Sequence, residues 1–145
     1  MAKGYPDYFG QSVWPKYGEM ELSTYNDPVG TLLTIPVVDL TSQAVLHSGY
    51  IYIFNVTNPG SVSMEVIVDG KSLGAMDLSF YFRVSGVQGI RMPFIMTEYM
   101  SAGSFCIFVV GVEIPFKSTF QVLVKNLTAL DINVLSYLGY YRIKQ

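Results

Sequence analysis

From about residue 31 to the C-terminus, apolar side chains recur with a period of two, interrupted at short intervals by turn residues. Successive side chains of a strand point to opposite faces, so this alternation marks strands; a helix would need apolar positions three and four apart. Met64, Val66 and Val68 alternate with Glu65, Ile67 and Asp69, and Asp69-Gly70 is a favoured hairpin turn. Phe120, Val122 and Val124 alternate with Gln121, Leu123 and Lys125, and 132–141 alternates again, so these two segments are expected to pair as an antiparallel hairpin. Residues 49–57 carry aromatic and β-branched side chains on both faces, the pattern of a central strand. Residues 31–40 read as a strand that Pro36 confines to an edge or a bulge, because proline has no amide donor for the ladder.

Further strands are expected over 78–84, 90–96 and 105–114, with room for a turn of helix near 97–102. No segment sustains an apolar repeat at helical spacing. The expected fold is therefore all-β: a single jelly-roll-like β-sandwich of about seven to eight antiparallel strands.

Residues 1–30 differ from the rest. Tyr5, Tyr8, Phe9, Trp14 and Tyr17 cluster around Pro6, Pro15, Gly10 and Gly18, where proline and glycine break both periodicities. So many aromatic rings do not suit a solvated tail. The segment is expected to be an extended arm lying on a surface, preferably a neighbour's, with those five aromatics as anchors; residues 31–145 form the sandwich.

Composition then bears on how such a sandwich meets water. Hydrophobic residues make up 50% of the chain and charged residues 14%, against roughly 25% in ordinary domains. A small domain exposes much of its surface, so a shortage of charge points to exterior that is covered by partner chains. Nine basic residues are scattered singly against eleven acidic ones, which leaves no concentrated footprint for nucleic acid. No run approaches the about 20 apolar residues of a spanning helix, and the N-terminus lacks a basic segment followed by an apolar core, so a soluble chain without membrane contact is expected.

The sequence offers little chemistry. His47 is the only histidine and Cys106 the only cysteine, which leaves no His/Cys zinc set and no internal disulfide. Cys106 sits in an apolar run, as a buried thiol does. No serine lies in a nucleophile elbow and no glycine-rich loop opens a helix. Asp77 and Glu98 are the carboxylates to inspect for a paired-acid site, with solvated loop acids as the simpler reading. The sequons at Asn55 and Asn126 fall in or beside strands. Neither a catalytic centre, nor a cofactor, nor a metal is expected. Aromatic content would also suit a carbohydrate-binding module, with Trp14 and Tyr17 as the stacking candidates, although most rings are accounted for by core packing.

Three stretches together resemble small β-sandwich proteins among the structural proteins of tailed phages: Tyr50-Ile51-Tyr52-Ile53-Phe54-Asn55-Val56-Thr57, Val66-Ile67-Val68-Asp69-Gly70, and Ile114-Pro115-Phe116-Lys117-Ser118-Thr119-Phe120-Gln121-Val122. The closing Tyr140-Tyr141-Arg142 and the aromatic arm fit the same type. The resemblance implies a place in a virion assembled in the host cytoplasm, as a capsid decoration or minor capsid protein, or as a head–tail or fibre-attachment piece. It implies partners such as the major capsid protein and a homo-oligomer, with a trimer as the first expectation.

Overall fold

In a computed structural model that describes residues 17–85, 92–100 and 105–143, the chain forms strands and one short helix. In order these are β1 (Tyr17–Val29), β2 (Thr34–Thr41), β3 (Ala44–Phe54), β4 (Val62–Val68), β5 (Lys71–Asp77), α1 (Leu78–Ser85), β6 (Phe94–Met100), β7 (Phe105–Val110), β8 (Ile114–Phe116), β9 (Thr119–Asn126) and β10 (Ile132–Ile143). The larger sheet has the order β1-β10-β3-β7-β6, with β8 beside β3, and the smaller has the order β2-β9-β4-β5. Every pairing is antiparallel. With β6 and β8 set aside, the main strands run 1-10-3-7 in one sheet and 2-9-4-5 in the other. That interleaving is the double Greek key of a jelly roll.

Period-two alternation builds the core between the sheets. Ile51 and Ile53 on β3, Cys106 and Phe108 on β7, and Ile132, Val134 and Leu138 on β10 are buried. They share one cluster with Met64 and Val66 on β4 and Phe120, Val122 and Val124 on β9. Each such side chain contributes about 1.5–3 kcal/mol by leaving water. Phe120 links the layers through rings, 6.5 Å from Phe94 and 5.6 Å from Phe116. Buried Ser136 of β10 donates to the Val37 carbonyl of β2, a polar stitch across the same core.

Several local expectations hold. β3 is the middle strand of the larger sheet, and Gly49 lets it approach β10 closely: a Cβ there would lie 2.1 Å from the Tyr137 carbonyl oxygen. β2 is an edge strand whose register with β9 shifts between Pro36 and Val38. Asp69 and Gly70 both have positive φ, 52° and 79°, as a two-residue β4–β5 hairpin requires.

Others are corrected. The described residues contain ten strands, more than the expected seven to eight. Residues 78–85 are helical despite Phe80-Tyr81-Phe82, because Asp77 caps the turn by accepting from the Phe80 amide at 2.9 Å, and Leu78 and Tyr81 bury one face. Of the strand expected over 90–96, residues 90 and 91 lie outside the described residues; β6 begins at Phe94 and continues to Met100, so 97–100 are strand where a turn of helix is expected near 97–102, whose last two residues are also outside the described ones. The strand expected over 105–114 stops at Val110, where Gly111 turns its amide to the Pro93 carbonyl, and β8 follows. β9 and β10 are not a hairpin: they lie in opposite sheets. Within the segment read as an arm, Tyr17–Val29 is a strand paired along β10 of its own chain.

Two polar clusters fix the connections. The Asp69 carboxylate accepts from the amides of Lys117 (2.9 Å), Ser118 (2.7 Å) and Thr119 (3.1 Å) and from the Ser118 hydroxyl, clamping the β4–β5 turn to the β8–β9 turn. The backbone donors, Lys117 first, pull its pKa down to about 2. At the other end Asn126 is fully buried. Its amide donates to the carbonyls of Val29 (3.0 Å) and Leu130 (2.9 Å), and its oxygen accepts from the Thr128 amide and hydroxyl.

Two outcomes are expected. A carboxylate with a depressed pKa stabilises the fold above its ordinary range and loses that contribution as pH falls through the folded value. Asp69→Asn, which tolerates the same backbone and removes the charge, should lower Tm at pH 7, and the gap to wild type should close as pH approaches about 2. Equal melting at neutral pH would show that the clamp adds nothing. Asn126→Ala takes the side-chain donor from the Val29 carbonyl and the acceptor from the Thr128 amide, and should cost about 3 kcal/mol in urea unfolding; a loss within error of zero would contradict the network's role.

Candidate protein interface

The two outward sheet faces differ in chemistry. On the smaller sheet the outward side chains are largely polar and mutually satisfied. Gln121 donates to Asp39 at 3.1 Å and Ser72 to Glu65 at 3.1 Å. A shallow depression of about 270 Å³ there is lined by Thr34, Ser63, Glu65, Ala75, Leu123 and Lys125.

The larger sheet presents cross-strand rows of rings and aliphatic chains. Register places Thr24, Tyr137, Tyr50 and Val109 in one row across β1, β10, β3 and β7, and Asn26, Leu135, Tyr52 and Ile107 in the next. Phe54 and Asn133 follow, then Leu22, Gly139 and Ser48 on the other side. These positions point outward because their neighbours Ile51, Ile53, Phe108, Val134, Ser136 and Leu138 are buried inward. The Tyr50 and Tyr137 rings stack at 6.1 Å and 19°, and Tyr52 contacts Phe54 at 5.0 Å and Phe105 at 5.5 Å. Leu22, Tyr50 and Tyr137 are 51%, 38% and 43% exposed. Those rows carry no ionised side chain. Among the described residues, charge enters at the margins, with Glu98 on β6 and the His47–Glu113 pair at 2.7 Å.

β1 carries the reverse of an ordinary edge pattern. Met20 and Leu22 face out, while Glu21, on the opposite side, pairs with Arg142. An apolar outward face is stable in water only at small extent, and a large one marks an interaction surface.

Jelly-roll connectivity gathers the β1–β2, β3–β4 and β9–β10 connections and α1 at one end of the sandwich. Leu32, Leu33, Leu127 and Leu130 are exposed there, with Phe80 and Phe82 from α1. Leu32 has φ 63°, a left-handed backbone that costs a side-chain-bearing residue about 1–2 kcal/mol. Paired bonds hold it, Leu32 N to the Asn126 carbonyl at 2.7 Å and Asn126 N to the Leu33 carbonyl at 3.0 Å. The opposite end carries the Asp69 clamp, Lys71, Lys117, His47 and Glu113, and is polar.

Of the expected anchors, Tyr5, Tyr8, Phe9 and Trp14 lie outside the described residues, and Tyr17 opens β1 opposite Ile143. His47 binds Glu113 and packs edge-on against Tyr141 at 5.3 Å. Asp77 serves as the α1 cap, with its pKa lowered first by the Ser79 hydroxyl, and Glu98 is exposed on an edge strand; the two acids have separate settings. Cys106 is buried, and burial pushes its thiol up to about 12. Of the sequon residues, Asn126 is sealed in the core and Asn55 is exposed, donating to Asn133. Among the described residues, no group of three or more His, Cys, Asp or Glu side chains gathers, and no helix is long and apolar enough to cross a membrane.

No protein-family model matches the sequence, and no curated protein does. In three dimensions the chain is similar to a chain of the cyanophage Pam1 capsid asymmetric unit, at 13% identity and a TM-score of 0.48, over 98% of this chain and 91% of that one.

A thiol with this burial and pKa should resist a water-soluble disulfide reagent at pH 8 and react only as the fold opens. Stopped-flow thiol titration with and without urea measures this. Immediate reaction of Cys106 in the native protein would contradict its placement between the sheets.

Proposed function

We propose that this chain is a virion structural protein of the capsid decoration or minor capsid kind, which binds neighbouring subunits through apolar surface and an aromatic N-terminal arm. The observation that carries the reading is the outward face of the larger sheet: rows of half-exposed rings and aliphatic chains across four strands, without an ionised side chain. A lone domain keeps charge on such a face for solubility. The jelly-roll topology is a frequent architecture of capsid shells, which agrees with the reading as a fold-level analogy.

On this reading the chain performs no reaction. Tyr5, Tyr8, Phe9 and Trp14 anchor the arm on an adjoining subunit, and the homo-oligomer displays its remaining surface to other virion proteins such as the major capsid protein. Each buried aromatic contributes at roughly 25 cal/mol per Å², reduced by the entropy of association and multiplied by repetition through the shell. A head–tail or fibre-attachment position uses the same contacts.

A second reading as a carbohydrate-binding module draws on the stacked, half-exposed Tyr50–Tyr137 pair, which offers a platform for a sugar ring.

Light scattering after size exclusion distinguishes the two. The full chain should elute as a multiple of its own mass, and deleting residues 1–16 should leave the circular dichroism of the sandwich intact while reducing that mass. Unchanged assembly after deletion would remove the arm from the account. A monomer whose tyrosine fluorescence shifts with added glycans would favour the carbohydrate reading.

A further inference from the structure

We infer that the outward face of the larger sheet is covered by the same face of a second copy of this chain, packed back to back across a two-fold axis near Tyr50 and Tyr137. The inference rests on the assembly reading above and names the occupant of that surface.

Charge and area point to this occupant. Two copies of a face without ionised side chains meet with no like charges opposed and no ion to desolvate. A charged partner would lose its hydration there and receive no counter-charge. The surface that best matches an uncharged, twisted, ring-bearing sheet is another of the same twist, and this chain supplies one. Four strands about 4.8 Å apart, over about 25 Å of strand length, give a footprint of roughly 500 Å² per copy. Two such faces bury about 1,000 Å², the size at which a specific interface begins. The stacked Tyr50 and Tyr137 rings lie in the middle strands of this face, so each copy would set them against the other's.

A residue beside a two-fold axis faces its own counterpart, and the test uses that property. Tyr50→Lys and Tyr50→Glu are prepared in the full chain, checked for native circular dichroism, and measured by sedimentation equilibrium separately and as an equimolar mixture. Each variant alone should associate about a hundredfold more weakly than wild type, because symmetry doubles the introduced charge, and the mixture should recover association by pairing Lys with Glu. Wild-type association of either variant alone would overturn the inference. Loss in both without recovery in the mixture would overturn it too, and would assign the face to residues 1–16 or to a different protein. In either of those cases the broader assembly reading stands, provided that wild type self-associates. A monomeric wild type would sink both.

Discussion

The layer of side chains between the two sheets is the constraint on which the rest depends. Ile51, Ile53 and Leu138 face Met64, Phe120, Val122 and Val124 across one core, and the pleat then dictates that every second residue of each strand points away from it. Whatever occupies those alternate positions becomes surface. On the smaller sheet Thr34, Asp39, Glu65, Gln121 and Lys125 bring charge and polarity among Ile67 and Leu123; on the larger, Tyr50, Tyr52, Leu135, Tyr137, Ile107 and Val109 stand among the uncharged Thr24, Asn26 and Asn133. The internal packing of an ordinary jelly roll therefore coexists with one outward face of interface chemistry.

The polar clusters explain how the strands stay in register while such a face is presented. Asn126 ties the end of β1 to the β9–β10 connection, and Asp69 ties the β4–β5 turn to the chain entering β9. In the larger sheet the β10–β3 register sets Tyr137 directly opposite Tyr50, with the two rings stacked.

Much of this was legible in the residues. Alternation along 120–125 and 132–141, the Asp69-Gly70 turn and Pro36 on an edge strand all translate directly into structure. Alternation, however, says which residues share a face and not which sheet a strand joins, so β9 and β10 could not be told from a hairpin. β1 escaped notice because its apolar residues Met20 and Leu22 point outward and Pro28 lies near its end, which only an edge strand tolerates. The strand-forming Phe80-Tyr81-Phe82 became helix through the Asp77 cap and the burial of Leu78 and Tyr81, a tertiary preference that local propensity does not contain. The interface rows were in view as rings on both faces of 49–57, a pattern of double burial. Among the described residues, no element covers that second face.

That absence gives the account its central claim: the outward rings of the larger sheet are buried in the working state of the protein. Hydroxyl-radical footprinting across a concentration series reads it most directly, with Tyr50 and Tyr137 as reporters and exposed Leu73 on β5 as the internal standard. The account predicts that the two tyrosines are oxidised readily in dilute protein and become protected as concentration rises, while Leu73 stays constant. Equal labelling of all three at every concentration would contradict it.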